Sequence, residues 1–413
     1  MNKSKKNILW IIGGGQLQVP LIVEARKLKL NILVTDKDPN CVCKPLSDHF
    51  YPVDIFDISK NVELLLTLQA QGFEFRGVIA AGIDANVTAA VVAKTAGLPG
   101  VNPKAAYITH NKALFREFLA KNKLPSPKWE EVATLSQAKK AIKKISAPFI
   151  IKNIDSSASR GTRKFFTKPA DGELELALEE AKKASTTNTA LVEELLSGPE
   201  QTVETLFDAN GKFRPCFITD RKFDVKSEWA TELEVEHPTT LSIATQKKLY
   251  ELVGRTAKLL GITTGAAKAD TMVTKNGPVI IEMTTRLSGG FDCQYLVPIA
   301  TGKNILRAAI LTSLGKKFPA SLLQDRKHRV AVLDSLWPKP GGRIVAIEGV
   351  EEAKRMPGFE LFSMRYKLGD IVKPYVDNAK RACFVIASGK DRKEAKENLK
   401  RILAVVSIKT KQA

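Results

Sequence analysis

The stretch Pro278-Val-Ile-Ile-Glu-Met-Thr-Thr-Arg-Leu-Ser-Gly-Gly290 decides the fold of this 413-residue chain more than any other. Its apolar first half predicts a strand that ends at Glu282. Arg286 follows, and its planar guanidinium can bind a phosphate or a carboxylate through two parallel hydrogen bonds. Gly289 and Gly290 allow a close backbone approach. The stretch therefore predicts a strand end that combines a carboxylate with an anion-binding arginine.

A second acidic residue, Asp270, lies on the predicted strand 265–273 just before this stretch. If the two strands pair in antiparallel fashion, Asp270 and Glu282 come to one edge. Mg²⁺ prefers oxygen ligands and usually takes one or two carboxylates together with phosphate and water. Facing strands often end in acids near solvent, so the pair alone is a weak signal. The arginine and glycines after Glu282 strengthen the magnesium hypothesis.

A polar loop further upstream is a candidate cover for phosphate. It runs from Asn153 to Gly161 between the predicted strands 148–152 and 163–167, and it is rich in small hydroxyl residues. Lys152 ends the first of these strands, immediately before the loop. A lone lysine at a strand end is usually solvated, but next to Ser156, Ser157, Ser159 and Gly161 a phosphate-binding role gains weight.

The beginning of the chain predicts a parallel α/β sheet. Strand Ile8–Ile12 is followed by a glycine turn, a helix over residues 17–28 and strand Asn31–Thr35. Such a turn can bind a dinucleotide, but Leu17 and Gln18 stand where the G-x-G-x-x-G spacing is required. A nicotinamide oxidoreductase therefore stays only a third hypothesis.

Composition narrows the remaining functions. Lys and Arg number 64 against 44 Asp and Glu, a net charge of +20, which would attract nucleic acid. The basic residues are spread along the chain without a basic arm, so we expect no nucleic-acid partner. No apolar stretch approaches the roughly 20 residues of a membrane-spanning helix, and no signal peptide is predicted. We expect a soluble cytoplasmic protein whose five scattered cysteines stay reduced.

The order of these motifs resembles the ATP-grasp ligases, in the branch of carbamoyl-phosphate synthase large-subunit domains, biotin carboxylase and the L-amino acid ligases. The resemblance covers nearly the whole chain. It is carried by Lys112, the loop 152–161, Glu193-Glu-Leu-Leu-Ser-Gly-Pro-Glu200, Asp270 and Glu282-x-Thr284-x-Arg286-x-x-Gly289-Gly290, together with Gly13-Gly-Gly-Gln16, Asp36-x-Asp38 and Gly82-x-Asp84 in the first part of the chain.

The resemblance implies an ATP-grasp fold of mixed α/β and α+β class. We expect a doubly wound parallel-sheet domain of the preATP-grasp type over residues 1–110. The smaller ATP-grasp lobe with the phosphate loop would cover 111–185, and the larger lobe with the Mg-ATP site would cover 186–335. A small α+β segment would complete the chain over 336–413.

The resemblance also implies a role for each motif residue. Lys112 and Lys152 would bind the ATP phosphates, with Lys152 also catalytic, and Ser156, Ser157, Ser159 and Gly161 would close over them. The segment from Glu193 and Glu194 to Leu196 would meet adenine, and Glu200 would receive the ribose hydroxyls. Asp270, Glu282 and Thr284 would hold the metal. Arg286 would be catalytic, facing the transferred phosphoryl and acyl groups, with Ser288 to Gly290 on the acceptor side.

Two positions depart from the family pattern. Thr284 stands where asparagine is usual, and Asp270 stands where glutamate is more frequent. Asp270 keeps the same oxygen chemistry on a side chain shorter by one methylene. Thr284 puts one metal ligand in doubt. For this reason a regulatory or non-catalytic nucleotide-binding module stays an alternative.

The implied activity is that of a carboxylate–amine ligase. ATP, with Mg²⁺ or alternatively Mn²⁺, would convert a carboxylate into an acyl phosphate, and an amine would attack it to give an amide, for example a dipeptide, with release of ADP and phosphate. A purine-pathway ligase or a carboxylase-like enzyme is the alternative. We expect small-molecule carboxylate and amine substrates, a pocket-lining loop within residues 223–236, and, from the resemblance only, a homodimer.

Overall fold

The computed structural model describes residues 4–338 and 341–412. Outside these ranges lie Met1 to Lys3 at the basic start of the chain, Lys339 and Pro340 within the Gly-Pro-rich stretch 337–342, and Ala413. The strands are β1 (Ile8–Ile12), β2 (Asn31–Thr35), β3 (His49–Tyr51), β4 (Phe75–Ile79), β5 (Trp129–Val132), β6 (Phe149–Asn153), β7 (Arg163–Phe165), β8 (Ala190–Glu194), β9 (Glu200–Phe207), β10 (Phe213–Phe223), β11 (Glu232–His237), β12 (Gly265–Thr274), β13 (Gly277–Thr284), β14 (Val330–Asp334), β15 (Gly342–Glu348), β16 (Phe359–Met364), β17 (Ile371–Val372), β18 (Cys383–Gly389) and β19 (Ser407–Lys411).

The helices are α1 (Val19–Lys27), α2 (Ile58–Ala70), α3 (Asn86–Thr95), α4 (Pro103–His110), α5 (Lys112–Lys121), α6 (Leu135–Ile145), α7 (Asp171–Lys183), α8 (Ile243–Leu259), α9 (Val297–Thr301), α10 (Ile305–Ser313), α11 (Val350–Ala353) and α12 (Arg392–Val405). Short 3₁₀ turns cover Gln16–Gln18, Lys44–Leu46, Ala320–Leu323 and Asn378–Lys380, and Asp292–Leu296 forms a π-helical turn.

The first domain contains the predicted parallel sheet, in the order β3-β2-β1-β4. Every residue of Ile8–Ile12 is buried, because helices cover both faces of a parallel sheet. The predicted strands Ile8–Ile12 and Asn31–Thr35 match β1 and β2 residue for residue. Helix α1 is shorter than the predicted helix 17–28, because a 3₁₀ turn precedes it. Pro20 lies in the first turn of α1, where proline is well tolerated.

The smaller ATP-binding lobe predicted from the sequence is an antiparallel sheet in the order β5-β8-β6-β7. Its helix α6 begins with a capping box formed by Thr134 and Gln137 and buries Ala138, Ala141, Ile142 and Ile145. Strand β8, which follows the predicted boundary at residue 185, pairs with β5 and β6. The apolar run 190–192 is needed to complete this sheet, because it fills the place between its two neighbours.

The largest sheet has the order β13-β12-β9-β10-β11-β14-β18-β16. One face packs on α4, α5 and α8 through an apolar cluster that includes Phe207, Leu249 and Met283. Strands β16 and β18 come from the predicted C-terminal segment. That segment is therefore continuous with the central sheet, while β17-β15-β19 forms a small sheet of its own.

The first domain is fixed to the central sheet by a backbone link. Ala81 and Leu287 form a parallel β-bridge, and the Gly82 N–H donates to the Leu287 carbonyl at 3.1 Å. An apolar cluster crosses the same boundary, with Leu9 of β1, Leu206 of β9 and Ile310 of α10 among its members. The residues after Glu282 are thus held between the two domains.

Two glycines of the C-terminal segment provide a matched test of packing. Both have positive φ, 78° at Gly349 and 90° at Gly369, but a Cβ on Gly349 would lie 1.8 Å from the Val405 carbonyl oxygen, whereas one on Gly369 would meet no atom within 4 Å. Gly369→Ala adds only backbone strain, about 1–2 kcal/mol. Gly349→Ala adds a steric clash of roughly 1–3 kcal/mol more. We expect the midpoint temperature of thermal unfolding to fall clearly further for Gly349→Ala, and equal decreases would contradict the packing described here.

Candidate active site

The two candidate metal ligands lie directly opposite each other, as the sequence predicted. Asp270 of β12 is the cross-strand partner of Glu282 of β13, and on its other side it faces Thr202 of β9. Opposite residues of antiparallel strands point to the same face. This face of the large sheet lies opposite the helices α4, α5 and α8. The hairpin therefore presents two carboxylates side by side.

Asp270 is held ionised by two cations. Its Oδ1 accepts from Lys268 Nζ at 2.6 Å and Thr202 Oγ1 at 3.1 Å, and Arg221 Nη1 lies 3.0 Å away. Burial alone would raise the pKa of Asp270, but Arg221 and Lys268 lower it to about 2. All three contacts go to Oδ1, so Oδ2 is the oxygen that remains for a metal ion.

One guanidinium, that of Arg221, serves three carboxylates. It lies 2.8 Å from Glu200, 2.5 Å from Glu232 and 3.0 Å from Asp270. Asp270 has Lys268 as a second cation, and Glu232 has Arg381 at 2.5 Å. Among the described residues, the only ion pair of Glu200 is the one with Arg221. Burial therefore dominates at this carboxyl and raises the pKa of Glu200 to about 7, although it forms an ion pair.

Lys112 connects the phosphate loop to the candidate metal site. It opens α5, which Asn111 caps, and its Nζ donates to Asn153 Oδ1 at 3.0 Å and to the Ser156 carbonyl at 2.6 Å. The same ammonium lies 3.9 Å from Glu282 Oε1. Lys112 thus stands between the loop and a carboxylate, where it can neutralise a phosphate bound between them.

Lys152 points into a buried ion triad. Its ammonium lies 2.6 Å from Glu193 Oε2, and Arg116 Nε donates to Glu193 Oε1 at 2.7 Å. All three side chains are less than one-tenth exposed. Burial lowers the pKa of Lys152, although Glu193 acts in the opposite direction. The triad joins β6 and β8 to α5 and fixes the direction of Lys152.

The phosphate loop is a tight hairpin connection between β6 and β7. At its base Asn153 receives the Ser156 N–H at 2.7 Å and donates to the Arg160 carbonyl at 2.7 Å. Gly161 has φ 58°, and a Cβ there would lie 2.6 Å from the Glu180 carbonyl oxygen of α7. Only glycine fits at that position.

Arg286 makes its strongest contact with the first domain. Its Nη2 and Nε donate to Asp84 Oδ1 at 2.6 and 3.1 Å. Burial opposes ionisation of Asp84, but Arg286 and the Ser157 hydroxyl hold its pKa well below the ordinary range. A small polar cavity lies here, lined by Asp84, Asn86, Thr109, His110, Asp155, Ser156, Ser157, Glu282 and Thr284. The candidate site is therefore assembled from both domains and the loop.

The remaining sequence candidates lie around this centre. Glu194 ends β8 and is half-buried. Leu196 is half-buried in the segment that connects β8 to β9, and Ser159 lies at the tip of the loop. His237, which directly follows the predicted pocket-lining stretch 223–236, is a core residue. Its ring lies 2.9 Å from the Ile218 carbonyl, and burial lowers its pKa to about 4.

The loop expected to line the pocket lies against the phosphate-loop hairpin. Within the predicted stretch 223–236, residues from 232 onward form β11. The Trp229 ring lies 5.2 Å from the Arg163 guanidinium, and the Lys164 N–H donates to the Glu228 carbonyl at 2.7 Å. These contacts join the larger lobe to β7.

Several residues of the site escaped prediction. Arg221 was missed because it belongs to none of the sequence motifs; it lies near the end of β10. Glu232 and Lys268 have ordinary strand surroundings in the sequence. For Lys268, the alternation of charged with apolar residues along β12 was the available signal.

Comparison with known proteins places this geometry in a family. Residues 145–294 match the ATP-grasp domain, residues 7–98 match the ribonucleotide synthetase preATP-grasp domain, and residues 336–411 match the L-amino acid ligase C-terminal domain 2. The protein is thus an enzyme of the ATP-dependent ligase class. The chain contains an ATP-grasp domain, and ATP-grasp ligases use ATP with Mg²⁺.

Individual relatives are distant. The L-amino acid ligase from Bacillus licheniformis is 22% identical, with a TM-score of 0.82 over the full length of both chains, which shows a common fold. An uncharacterized protein of Sinorhizobium fredii is 24% identical over 82% of this chain and 68% of its own. Human carnosine synthase 1 is 22% identical over 79% of this chain, which spans only 42% of that enzyme.

The residues present suit a bound Mg²⁺ and triphosphate. Throughout residues 4–338 and 341–412 there is no cluster of three or more His, Cys, Asp or Glu arranged for a metal ion. Mg²⁺ usually takes one or two carboxylates from a protein, with phosphate and water as its other ligands. Asp270 and Glu282, as cross-strand partners, match that number.

Within the part of the chain that the structure describes, no helix is both long and apolar enough to cross a membrane.

The pKa of Glu200 gives a stability test. The pKa of Glu200 is raised to about 7 in the folded protein from an ordinary value of 4.5. The protonated carboxyl therefore contributes its full stability to the folded protein below pH 4.5, and this contribution is lost as the pH rises through 7. We expect the midpoint temperature of thermal unfolding of Glu200→Gln, relative to that of the unmodified protein, to rise between pH 5 and pH 8. The exposed Glu397→Gln should show a constant difference. A difference for Glu200→Gln that does not change with pH would contradict the raised pKa.

Proposed function

We propose that this enzyme joins a small carboxylate to an amine through an acyl phosphate, with release of ADP and phosphate, and that both substrates are amino acids. The observation that carries the proposal is the small cavity where Asp84, the phosphate loop and Glu282 meet, with Asp270 as the cross-strand partner of Glu282. Carboxylates for a cation, a lysine for phosphate and the planar fork of Arg286 converge there from separate parts of the chain. Phosphoryl transfer to a carboxylate needs these groups together.

The nucleotide would lie between the two lobes. Lys112 and Lys152 would bind its phosphates, with Ser156, Ser157, Ser159 and Gly161 covering them. The adenine base would contact the backbone where the small sheet joins the large one. This place includes Glu193 and Glu194 at the end of β8, and Leu196 in the segment that follows. Glu200, at the start of β9, would accept the ribose hydroxyls once it is ionised.

Asp270, Glu282 and Thr284 would hold Mg²⁺, which when bound neutralises charge on the transferred phosphoryl group. Arg286 would orient the carboxylate substrate, because its guanidinium lies beside the cavity and is held by Asp84. Ser288 to Gly290 follow at the boundary with the first domain, where the amine would enter. The phosphate loop would exclude water, which protects an acyl phosphate from hydrolysis.

Amino acids are favoured as substrates by the C-terminal segment. Residues 336–411 match a domain named for L-amino acid ligases, and the L-amino acid ligase structure aligns over its whole length. A purine-pathway reaction is the second candidate. The formate-dependent phosphoribosylglycinamide formyltransferase of Ignicoccus hospitalis is 22% identical over 98% of this chain and 97% of its own.

The proposal is tested by measuring ADP and phosphate release with Mg-ATP across single and paired amino acids, with the product identified by mass. We expect turnover to require one amino acid pair. Glu282→Ala should reduce it by roughly a hundredfold or more, because a lost metal ligand removes several kcal/mol of transition-state stabilisation. Glu251→Ala, on the exposed side of α8, should leave turnover unchanged.

Other outcomes separate the alternatives. Turnover with phosphoribosylamine and glycine, or with formate, but with no amino acid pair would assign the purine class. ATP binding without turnover on any member of the panel would indicate a non-catalytic binding module. Turnover that survives Glu282→Ala would refute the proposed metal site.

Arg286→Lys tests the proposed role of the guanidinium. Lysine keeps the positive charge but loses the planar fork, so bidentate binding of a carboxylate or phosphoryl group is lost. We expect kcat to fall by roughly a hundredfold, as for the loss of one preorganised donor, with less than about a threefold change in KM for ATP. A variant with unchanged kcat would exclude Arg286 from the reaction.

A further inference from the structure

Asn378, in the C-terminal part of the chain, contacts the tip of the phosphate loop. Its backbone N–H donates to the Ala158 carbonyl at 2.9 Å, and its Nδ2 donates to Ser159 Oγ at 3.3 Å. The two contacts fix adjacent loop residues from one point. They come from a residue 219 positions further along the chain than Ser159.

The loop tip needs support from outside. Ala158 and Ser159 both have φ 58°, a left-handed conformation that residues with a Cβ rarely adopt. Such residues persist when their surroundings determine the conformation. The hydrogen bonds of Asn153 stabilise the base of the loop, at Ser156 and Arg160, but do not reach the tip.

Asn378 is itself rigidly placed. Its Oδ1 accepts the Glu232 N–H at 3.0 Å and lies 2.8 Å from the Tyr375 hydroxyl. Arg381 Nε donates to the same hydroxyl at 3.0 Å, and its Nη2 lies 2.5 Å from Glu232 Oε2. Both ends of the Asn378 amide are thus used, one toward the loop and one toward β11.

These contacts connect the loop to the candidate metal site. Glu232 forms an ion pair with Arg221, and Arg221 lies 3.0 Å from Asp270 and 2.8 Å from Glu200. Hydrogen bonds and ion pairs therefore connect Ser159 through Asn378, Glu232 and Arg221 to Asp270. The loop and the carboxylates face the same nucleotide in the proposed function, on which this inference rests.

We propose that Asn378 is a positioning residue of the enzyme, which holds the tip of the phosphate loop in its closed conformation over the nucleotide. The C-terminal segment thereby contributes to the exclusion of water from the acyl phosphate. Asn378 acts through Ala158 and Ser159 and itself takes no part in the chemical step.

Hydrogen–deuterium exchange of a peptide covering residues 154–165 tests the contact without any carboxylate or amine substrate. We expect Asn378→Ala to speed exchange at the loop tip at least tenfold in the free protein. Ser159→Ala removes only the loop side of the contact and should have a smaller effect in the same direction. The double variant should exchange no faster than Asn378→Ala, because both changes remove one interaction. Asn210→Ala, in an exposed turn, is the control.

Turnover then separates positioning from general damage. With the amino acid pair found above, Asn378→Ala should raise KM for ATP about tenfold and lower the yield of amide per ADP released, because water reaches the intermediate. A purely structural role would lower the amount of active enzyme and leave that yield unchanged.

The outcomes distinguish this inference from the proposed function. Loop exchange equal to that of the unmodified protein in Asn378→Ala, or an unchanged yield of amide per ADP, would overturn the positioning role. If Mg-ADP neither binds nor slows exchange in the unmodified protein, the proposed function fails instead, while the comparison of free proteins still decides whether Asn378 holds the loop.

Discussion

The Arg221 guanidinium is the interaction on which the rest of the site depends. Three carboxylates from neighbouring strands, Glu200, Glu232 and Asp270, meet at this one cation on a buried sheet face. Buried carboxylates without a cation would repel each other and lose their charge. Lys268 and Arg381 complete the balance for two of them. The strand order β12-β9-β10-β11 brings all these residues into neighbouring positions, so topology and electrostatics support each other.

The small lobe uses the same principle on a smaller scale. Glu193 lies between Arg116 and Lys152, and the Arg116 Nη2 also donates to the Ile281 carbonyl at 2.5 Å, next to Glu282. The triad therefore links the sheet that carries the phosphate loop to the strand that carries a candidate metal ligand. The triad fixes the direction of Lys152, which would reduce the ordering required for the phosphate binding proposed above.

Local elements of this chain were predictable, whereas long-range contacts were not. The pairing of Asp270 with Glu282 follows from a short turn, formed by Lys275 and Asn276, between two strands. The ion pair of Asp84 with Arg286 joins residues 202 positions apart, and no periodicity indicates it. Arg221 belongs to none of the sequence motifs and comes to the site only through the pairing of β10 with β9. The apolar run of β8 likewise does not reveal in the sequence which sheet it joins.

The phosphate loop shows how such distant contacts produce a defined site from a polar segment. Its sequence is too small and hydroxyl-rich to build a core, so its conformation must come from its surroundings. Gly161 packs against the α7 backbone so closely that no side chain fits there, and the tip is held by Asn378. With both the end and the tip fixed, Ser156 and Ser157 are placed between Lys112 and Asp84. The polar composition of the loop does not determine its conformation. Contacts with two domains and with the C-terminal segment each constrain a different part of it.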